Sequence, residues 1–282
     1  MKFGVREICN VVFKTAAPNQ KIGNKVIATA RTPVIYFDTL KTSSLEQAVT
    51  TVYAQGGRGN TRLVGWDGEK TLTFTMEDAL ISETGLAILA GAGLWDADAS
   101  KGNTMIVHVS EIGTAEPTDV YTGDADVANY YFELDADGNI KGDAKNLDDF
   151  TAADNTQYLF DYYKAVTGKQ GEMAGYQIDI EPEAFGGNFY IEADTLFRDQ
   201  QGKDHPAQFI IPNGKIQSNF TLSMASSGDP STFTFTVDAF PGYVNGDKTK
   251  KVMAAIQVIT DEGTTTVITD DMAGDDDTVA NG

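Results

Sequence analysis

The chain has 282 residues, and its 41% hydrophobic and 10% aromatic residues are enough to fill a core, which excludes wholesale disorder. Asp and Glu number 41 against 21 Lys and Arg, and the net charge of −20 argues against a protein that grips nucleic acid or an anionic membrane. No apolar run approaches the ~20 residues of a membrane-spanning helix, and a single cysteine excludes an internal disulfide framework.

The N-terminal part of the chain is predicted to contain two strands, a short helix and a loop. Loosely alternating apolar residues indicate strands around residues 8–13 and 34–37. The segment SSLEQAVTTVYAQ, residues 43–55, is interpreted as a helix because Ser44 is a suitable N-cap and polar residues occupy the first turn. Three glycines within residues 56–60 predict a loop.

A hairpin and a second helix are predicted next. Strand-like segments at residues 63–66 and 71–76 flank Asp67-Gly68, a dipeptide that favours a type I′ turn because both central residues need positive φ. The period then changes, and Ser82 can cap a compact helix that ends at Gly91. Since that helix is apolar nearly all round, we expect it to lie buried against a sheet or a neighbouring subunit.

Composition divides the chain into three regions. Residues 96–156 are acidic and rich in small side chains, and they are interpreted as an inserted region. Residues 1–95 and 157–262 are predicted to form one discontinuous β domain, whose later strands are separated by Gly, Pro and Asn turns. Residues 263–282 are predicted to be a flexible acidic tail, because like charges dominate there and apolar surface is scarce.

Strands are predicted around residues 106–109 and 130–134 of the acidic region. The segment YLFDYYKAV, residues 158–166, has the length of a helix, but its aromatic residues favour a strand. Within LDADGNIKGD the alternating acidic residues resemble the start of a calcium loop, but the glycine comes fourth and the twelfth position is Asn146. A hairpin turn at Asp137-Gly138 is the plainer interpretation.

Motifs for catalysis, metal binding and cofactor binding are absent from the sequence. The two histidines are His108, in the apolar strand MIVHVS, and His205, in a polar loop, and neither has the spacing of a metal site. Adjacent acidic residues such as Asp148 and Asp149 point in opposite directions along an extended chain, so they make no acid–base pair. We therefore predict that the protein is not an enzyme and uses no cofactor or metal.

Residues 215–242 show a period of two, which is typical of strands with one buried and one wet face. Two segments of about nine residues each, longer than most strands, predict a long amphipathic β-hairpin. Its predicted core face consists of Phe220, Leu222, Phe233, Phe235 and Val237. Its predicted polar face consists of Asn219, Thr221, Thr232, Thr234, Thr236 and Asp238.

A long strand of this kind has an edge that templates association with other chains. Most proteins blunt such edges or close them into barrels, but in a polymer successive copies complete one another's sheet. A ring of hairpins then closes a barrel that no single chain forms. The polar face of the hairpin is predicted to line the lumen of that barrel or to take part in assembly.

The segments IIPNGKIQSNFTLSMASSGDPSTFTFTVDAFPG (residues 210–242) and WDGEKTLTFTMEDALIS (residues 66–82), with the glycine-bounded helix that follows, resemble the tail tube proteins of contractile-tailed bacteriophages. The resemblance covers residues 33–95 and 157–260, and it rests on β patterning and on turn placement, including a turn at IIPNGK. It implies a mainly β fold, a β-sandwich or barrel of tail-tube type with a long β-hairpin and one or two short α-helices.

The resemblance also implies a function and a location in the virion. Subunits of such a family join as rings, expected to be hexameric, and the rings stack into an inner tail tube that conducts DNA during ejection without binding it specifically. The implied partners are further copies of the chain, the tail sheath, the tape measure protein and the baseplate or terminator proteins. No membrane is implied, and synthesis is expected in the cytoplasm of the bacterial host.

Two other classes of function stay open. The first is another structural part of a virion or injection machine, such as a capsid decoration protein. The second is a β-sandwich module that binds glycans or cell surfaces through an exposed aromatic platform. The candidate residues of that platform are Tyr130, Tyr131, Tyr162 and Tyr163. Such a module is expected to be a stable monomer, whereas a tube protein forms hollow cylinders or stacked rings.

Overall fold

The computed structural model describes residues 2–5, 9–22, 25–97, 104–124, 127–169, 174–221, 232–244 and 248–260. Within these residues the chain is mainly β, as predicted, with one α-helix, α1 (Glu83–Ala90), and a short 3₁₀ helix (Leu147–Asp149). The predicted acidic tail, residues 263–282, lies outside the described residues. The strands are, in chain order, β1 (Phe3–Val5), β2 (Asn10–Thr15), β3 (Gln20–Ile22), β4 (Lys25–Ile27), β5 (Pro33–Phe37), β6 (Leu40–Gly56), β7 (Thr61–Asp78), β8 (Gly93–Asp96), β9 (Met105–Gly113), β10 (Tyr130–Leu134), β11 (Ile140–Asn146), β12 (Tyr158–Val166), β13 (Tyr176–Asp179), β14 (Asn188–Asp199), β15 (Asp204–Ile216), β16 (Phe233–Ala239) and β17 (Ala255–Val258).

The largest sheet has nine strands and curls on itself. Seven of them follow the order β5-β2-β14-β15-β16-β7-β6, while β1 pairs with β14 and β17 pairs with β15. Phe37 on β5 and Phe235 on β16 are separated by three strands in this order, yet their rings meet edge to face with centroids 4.9 Å apart. The two halves of the sheet therefore face each other across a common interior.

Apolar side chains from both halves of this sheet fill the main core. Phe13 stands at its centre, with its ring centroid 5.2 Å from that of Phe37 and 5.5 Å from that of Phe189. Each fully buried side chain of this size contributes about 1.5–3 kcal/mol relative to its exposed state. The fully buried members of this core are Val11, Phe13, Phe74, Met76, Leu89, Phe189, Ile191, Ile211, Ile216, Phe235 and Val237. This core is therefore the main source of the fold's stability.

Helix α1 begins and ends where the sequence predicts. Ser82 Oγ accepts a hydrogen bond of 3.0 Å from the backbone N–H of Gly85 and so caps the N-terminus. Gly91 closes the helix with a left-handed φ of 68°, a conformation that costs glycine little. Ile88 and Leu89 join the main core, so the helix is buried against the sheet of its own subunit.

The hairpin β6–β7 corrects the helix predicted at residues 43–55. That segment belongs to β6, which pairs with β7 along nearly its whole length. Val49, Val52 and Tyr53 are β-branched or aromatic, and such side chains fit a pleated strand better than a helix. The N-cap signal of Ser44 is local, and the long-range pairing outweighs it.

The same hairpin corrects the turn predicted at Asp67-Gly68. β7 continues through that dipeptide, and the chain turns instead at residues 57–60, where Gly57, Gly59 and Asn60 have positive φ. Gly68 lies at a bulge opposite Thr50, whose Oγ1 accepts a 2.8 Å hydrogen bond from the backbone N–H of Glu69. The predicted loop at residues 56–60 is confirmed.

The hairpin predicted within residues 215–242 is present only at its base. β15 continues through residues 210–215, where the sequence predicts a turn, and Pro212 lies at a register irregularity that needs no ladder N–H. The strand ends at Ile216, residues 217–221 are not in a strand, and Leu222 lies outside the described residues. The first strand of the predicted hairpin is therefore wrong, and the long hairpin of this fold is β6–β7.

Strand β16 exchanges most of its hydrogen bonds with β7 rather than with β15. It meets β15 only at residues 237–239, but it pairs with β7 through residues 233–238. β7 reads TLTFTMED where β16 reads TFTFTVDA, so the two strands alternate in phase. In-phase pairing buries Phe74 and Met76 beside Phe235 and keeps the hydroxyl groups on the other face.

A second sheet of four strands holds the acidic region. Its order is β11-β10-β12-β9, and a small aromatic core of its own includes Tyr131, Tyr158, Phe160 and Tyr162. Since β12 belongs to it, this sheet extends past the predicted boundary at residue 156, to Val166. The predicted strands of this region and the hairpin turn before β11 are confirmed. Two short ribbons, β8 with β13 and β3 with β4, complete the described fold.

Candidate assembly surfaces

The outer face of the large sheet carries a grid of hydroxyl and carboxyl side chains, which we name the threonine face. Residues directly opposite each other in neighbouring strands point to the same side. In β6, β7 and β16 this register forms three rows, namely Thr42–Glu77–Thr234, Ser44–Thr75–Thr236 and Glu46–Thr73–Asp238. The opposite side of the same three strands is the main core, so the grid is exposed or partly exposed while its reverse is dry.

The charged side chains of the threonine face are all acidic. Its nine residues include three carboxylates and no Lys or Arg. Thr42 Oγ1 donates to Glu77 Oε2 at 3.3 Å, Thr73 Oγ1 donates to Asp238 Oδ1 at 3.5 Å, and Thr232 Oγ1 hydrogen-bonds Glu77. Lys215 of β15 adjoins the grid at one margin, opposite Asp238. The face is therefore a hydroxyl surface with an acidic bias.

The structure brings together four of the six residues that the sequence assigns to the polar face. Thr234, Thr236 and Asp238 stand in the grid, and Thr232 lies beside it just before β16. The other two residues, Asn219 and Thr221, are exposed but lie outside the strands.

Three of the residues that the sequence assigns to the core face belong to β16, and their side chains do face the core. Phe233, Phe235 and Val237 are buried in the main core, and Phe220 is partly buried against it. Sequence reasoning missed the members of the grid on β6 and β7. The sequence signal that could have identified the members on β7 is the alternation of threonine in residues 71–76, which matches the alternation in β16.

Beyond the end of β16 the hairpin β6–β7 projects as a two-stranded ribbon, residues 48–71, which we name the hairpin arm. Val52 pairs with Trp66 and Ala54 with Val64, so these four side chains share one face. Val52 is 65% exposed, Trp66 56% and Val64 50%. An isolated two-stranded ribbon is at best marginally stable in water. This apolar face therefore has the character of a surface that another element covers.

Strand β6 is also the end of the large sheet. It follows β7 in the strand order and has no further described strand beyond it. Its free edge spans Leu40–Gly56, far longer than the short, blunted edges that most proteins present. A strand from another chain has a ready row of backbone donors and acceptors there.

One of the two histidines, His205, occupies a different environment from the one predicted. His205 lies in strand β15, not in a loop, and is only 2% exposed, with Nε2 3.1 Å from Asp199 Oδ2. This contact, with backbone N–H bonds from Lys203 and Gln201, holds the pKa of Asp199 below its usual value. His108 lies on β9, as predicted, and pairs with Asp161 on the sheet surface. In the described part of the chain, no three His, Cys, Asp or Glu side chains cluster as metal ligands would.

The aromatic platform proposed for glycan binding is not formed. Tyr131 and Tyr162 are 6% and 2% exposed and belong to the core of the four-stranded sheet. Tyr162 Oη donates to Glu111 and Asp119, and burial beside these carboxylates raises the pKa of Tyr162 to about 12. Alternate residues of a strand face opposite sides, so Tyr130 and Tyr163 remain on the outer face without them.

The fold and these surfaces define a mainly β protein with an open sheet edge and a projecting arm. The YomU/Tube protein family matches residues 25–256, more than half of the chain, and the chain belongs to that family. The matched span includes the acidic region as well as most of the large sheet. No curated protein matches the chain. Among the described residues no helix has the length and apolar character to cross a membrane.

The family name describes a tube protein. It agrees with the resemblance to phage tube proteins seen in the sequence and with a structural rather than a catalytic role. The resemblance itself placed the similarity in residues 33–95 and 157–260, and the family match covers the first segment, the second as far as residue 256, and the residues between them.

Proposed function

We propose that the protein is the tail tube subunit of a contractile-tailed phage, and that copies join as hexameric rings which stack into a conduit for DNA. The observation that carries this proposal is the threonine face, an acid-biased grid of hydroxyl groups backed by the main core. Threonine is β-branched and suits a strand, yet its hydroxyl group keeps the surface wet. Such a face offers passing DNA neither positive charge nor an apolar patch.

Charge supports a lumen on this face. Six copies at −20 carry 6 × −20, or −120, in each ring of six, and the three carboxylates of each threonine face put 6 × −3, or −18, of that charge on the inner wall. Duplex DNA has one phosphate charge about every 1.7 Å along its axis. Carboxylates of the lumen repel these phosphates over distances up to about one Debye length, ~8 Å at physiological salt, beyond which the repulsion is largely screened. A lumen lined by the threonine face therefore keeps DNA centred and lets it slide.

Ring closure is assigned to the free edge of β6. A sheet that ends in a long open strand becomes complete when a strand of the next copy pairs with it. The large sheets of successive subunits then join around the ring, and their threonine faces line one continuous inner wall. This arrangement places the main core between the lumen and the outside.

The remaining partners and the location follow from the tube assignment. The tail sheath surrounds the tube, the tape measure protein occupies it during assembly, and baseplate and terminator proteins close its two ends. The protein is then a component of the virion tail. DNA passes through it without specific binding.

Electron microscopy and DNA ejection test the proposal together. Purified protein is expected to form hollow cylinders or stacked rings. A variant with Thr234→Lys and Thr236→Lys is expected to assemble but to slow DNA ejection, because two lysines per subunit attract phosphates in the lumen. The control variant, Thr151→Lys with Ala152→Lys, adds the same charge in an exposed loop of the four-stranded sheet and is expected to eject at the normal rate.

Two results contradict different parts of the proposal. A protein that stays monomeric at every concentration, alone and with a baseplate to nucleate it, contradicts the tube. Tubes that carry both lysines on the threonine face and still eject DNA at the control rate contradict the lumen assignment only.

A further inference from the structure

Positive charge is concentrated at the start of this acidic chain. Residues 1–66 contain 9 Lys and Arg against 3 Asp and Glu, a net +6, which leaves −20 − 6 = −26 for the rest. Between residues 47 and 66 the only charged side chains are Arg58, at the tip of the hairpin arm, and Arg62. The outer part of the arm is thus a basic projection with an apolar face, formed by Val52, Val64 and Trp66.

The four-stranded sheet has the opposite charge. Residues 105–166 contain 13 Asp and Glu against 3 Lys and Arg, a net −10, which is half of the net charge of the whole chain. The face of this sheet that points away from its aromatic core is apolar at one end. There Ile112, Leu159 and Phe132 stand side by side in β9, β12 and β10, and Ile112 is 61% exposed.

An acidic turn adjoins that apolar end. The chain turns from β10 to β11 at residues 135–139, and Ile140 directly after the turn is 53% exposed. Asp135 holds the turn, because its Oδ1 accepts hydrogen bonds from the backbone N–H groups of Asp137 and Asn139 at 2.9 and 2.8 Å. Asp137 is exposed at the tip. We name this surface the acidic patch, composed of Ile112, Phe132, Asp137, Ile140 and Leu159.

The hairpin arm and the acidic patch complement each other in two independent properties. Each presents exposed apolar side chains, and the outer part of the arm, up to Trp66, is basic whereas the turn in the acidic patch is acidic. Opposite charge steers association and fixes its orientation, while the apolar area supplies most of the affinity. The threonine face is also acidic, but it has no apolar component for Trp66 and Val52 to contact.

We propose that the hairpin arm of one copy docks on the acidic patch of a second copy. The inference rests on the proposed function, because it requires copies of the chain to lie side by side. An interface between two different surfaces of identical subunits repeats from copy to copy, and it closes a ring or extends a stack. The second copy is the occupant that supplies the matching surface in a fixed ratio, one patch for each arm.

Reversing one charge at a time tests this docking. Arg58→Glu places an acidic arm tip against the acidic patch, and we expect the protein concentration needed for assembly to rise about tenfold or more. Asp137→Lys alone is expected to weaken assembly as well, since it opposes Arg58. The double variant, Arg58→Glu with Asp137→Lys, restores opposite charges and is expected to assemble within about twofold of the wild type.

The matched control is Lys70→Glu, which makes the same charge change in β7 at the root of the arm, away from the tip that carries Arg58. It is expected to assemble like the wild type. Thermal melting of each variant below the assembly concentration verifies that the monomer is folded. Arg62 is left unchanged, because its guanidinium lies 4.1 Å above the ring of Tyr53 and supports the arm itself.

Each outcome either supports or contradicts the docking of the hairpin arm on the acidic patch. Rescue of Arg58→Glu by Asp137→Lys establishes the contact. Arg58→Glu protein that assembles as well as Lys70→Glu protein overturns it, and so does a double variant that assembles no better than Arg58→Glu alone, even though wild-type tubes form. A wild-type protein that forms no rings or tubes refutes the proposed function, and the docking inference falls with it.

Discussion

Two hairpins of the large sheet differ in their surroundings: β14–β15, with strands of 12 and 13 residues, and β6–β7, with strands of 17 and 18 residues. β14 and β15 lie in the middle of the strand order, with β2 and β1 on one side and β16 and β17 on the other. β6 and β7 lie at one end, and only the inner third or so of β7 has a second neighbour, β16. The first hairpin is buried along most of its length, while the outer part of the second is exposed on both faces.

The turns of the two hairpins also differ, since the turn of β14–β15 is held by more side-chain contacts. At the tip of β14–β15, Asp199 accepts from the backbone N–H groups of Gln201 and Lys203 and contacts the buried His205. Arg198 and Asp204 add a bidentate ion pair across the same strands. The turn of β6–β7 relies on two glycines and Asn60 with positive φ. Hairpin length therefore does not determine stability. The outer part of β6–β7 lacks lateral neighbours among the described strands, and its tip is held by an exposed hydrogen bond from Asn60 Nδ2 to Gln55 Oε1 rather than by a buried contact, which leaves an arm available for assembly.

The largest expected difference between the hairpins concerns burial. Phe189 on β14 is 1% exposed, and Phe189→Ala is expected to lower the free energy of unfolding by about 3–5 kcal/mol through lost contacts and a cavity. Val64→Ala in the hairpin arm is expected to change it by less than about 0.5 kcal/mol, because the side chain is half exposed. Urea denaturation of the monomer measures both. Equal effects would remove the contrast between the two hairpins.

A smaller effect concerns the lock at the tip of β14–β15. His205 is the main cause that lowers the pKa of Asp199, so the folded state favours the ionised carboxylate. This contribution to stability is present above the unfolded pKa of about 3.9 and is lost as the pH falls through the folded value. Asp199→Asn is expected to lower the melting temperature at pH 7. Between pH 7 and acidic pH, the melting temperature of this variant is expected to fall less than that of the wild type. Melting curves from pH 7 to about pH 2.5 measure this.

The control for this lock lies in the arm. Asp67→Asn replaces an exposed acidic residue of β7, and its effect on stability at pH 7 is expected to stay within about 0.5 kcal/mol. If Asp199→Asn and wild-type protein melt with the same pH dependence, the Asp199–His205 contact does not lock the turn.

The smallest effect on the monomer is expected for Trp66→Ser. Trp66 is 56% exposed on the apolar face of the arm, so its loss is expected to change the free energy of unfolding by less than about 0.5 kcal/mol. The same change is expected to weaken assembly, because docking on the acidic patch removes that face from water. Val49→Ser, on the opposite face, is the control. Trp66→Ser protein with a clearly destabilised monomer would show that the arm is packed already.

Several local features were predictable because their causes lie within a few residues. Ser82 and Gly91 marked both ends of α1, since capping and a left-handed residue are properties of the chain next to them. The hairpin turn before β11 was predictable from Asp137-Gly138 for the same reason, and Gly138 has φ 83° there. The helix predicted at residues 43–55 was wrong because this segment is a strand that pairs with β7. That pairing depends on the turn at residues 57–60, and in the sequence the dipeptide Asp67-Gly68 was a competing turn signal.

The sequence by itself determined the mainly β fold class, the position of α1, the acidic charge and the alternation that separates threonine from phenylalanine in β16. These depend on composition and on a period of two, which show which side chains share a face within one strand. Only the tertiary structure decided that β16 pairs with β7, that His205 is buried, and that Thr73, Thr75 and Glu77 complete the threonine face. The physical reason is that alternation sets the face of a residue but not its neighbour in the next strand, and the neighbour is chosen by the burial of the whole core.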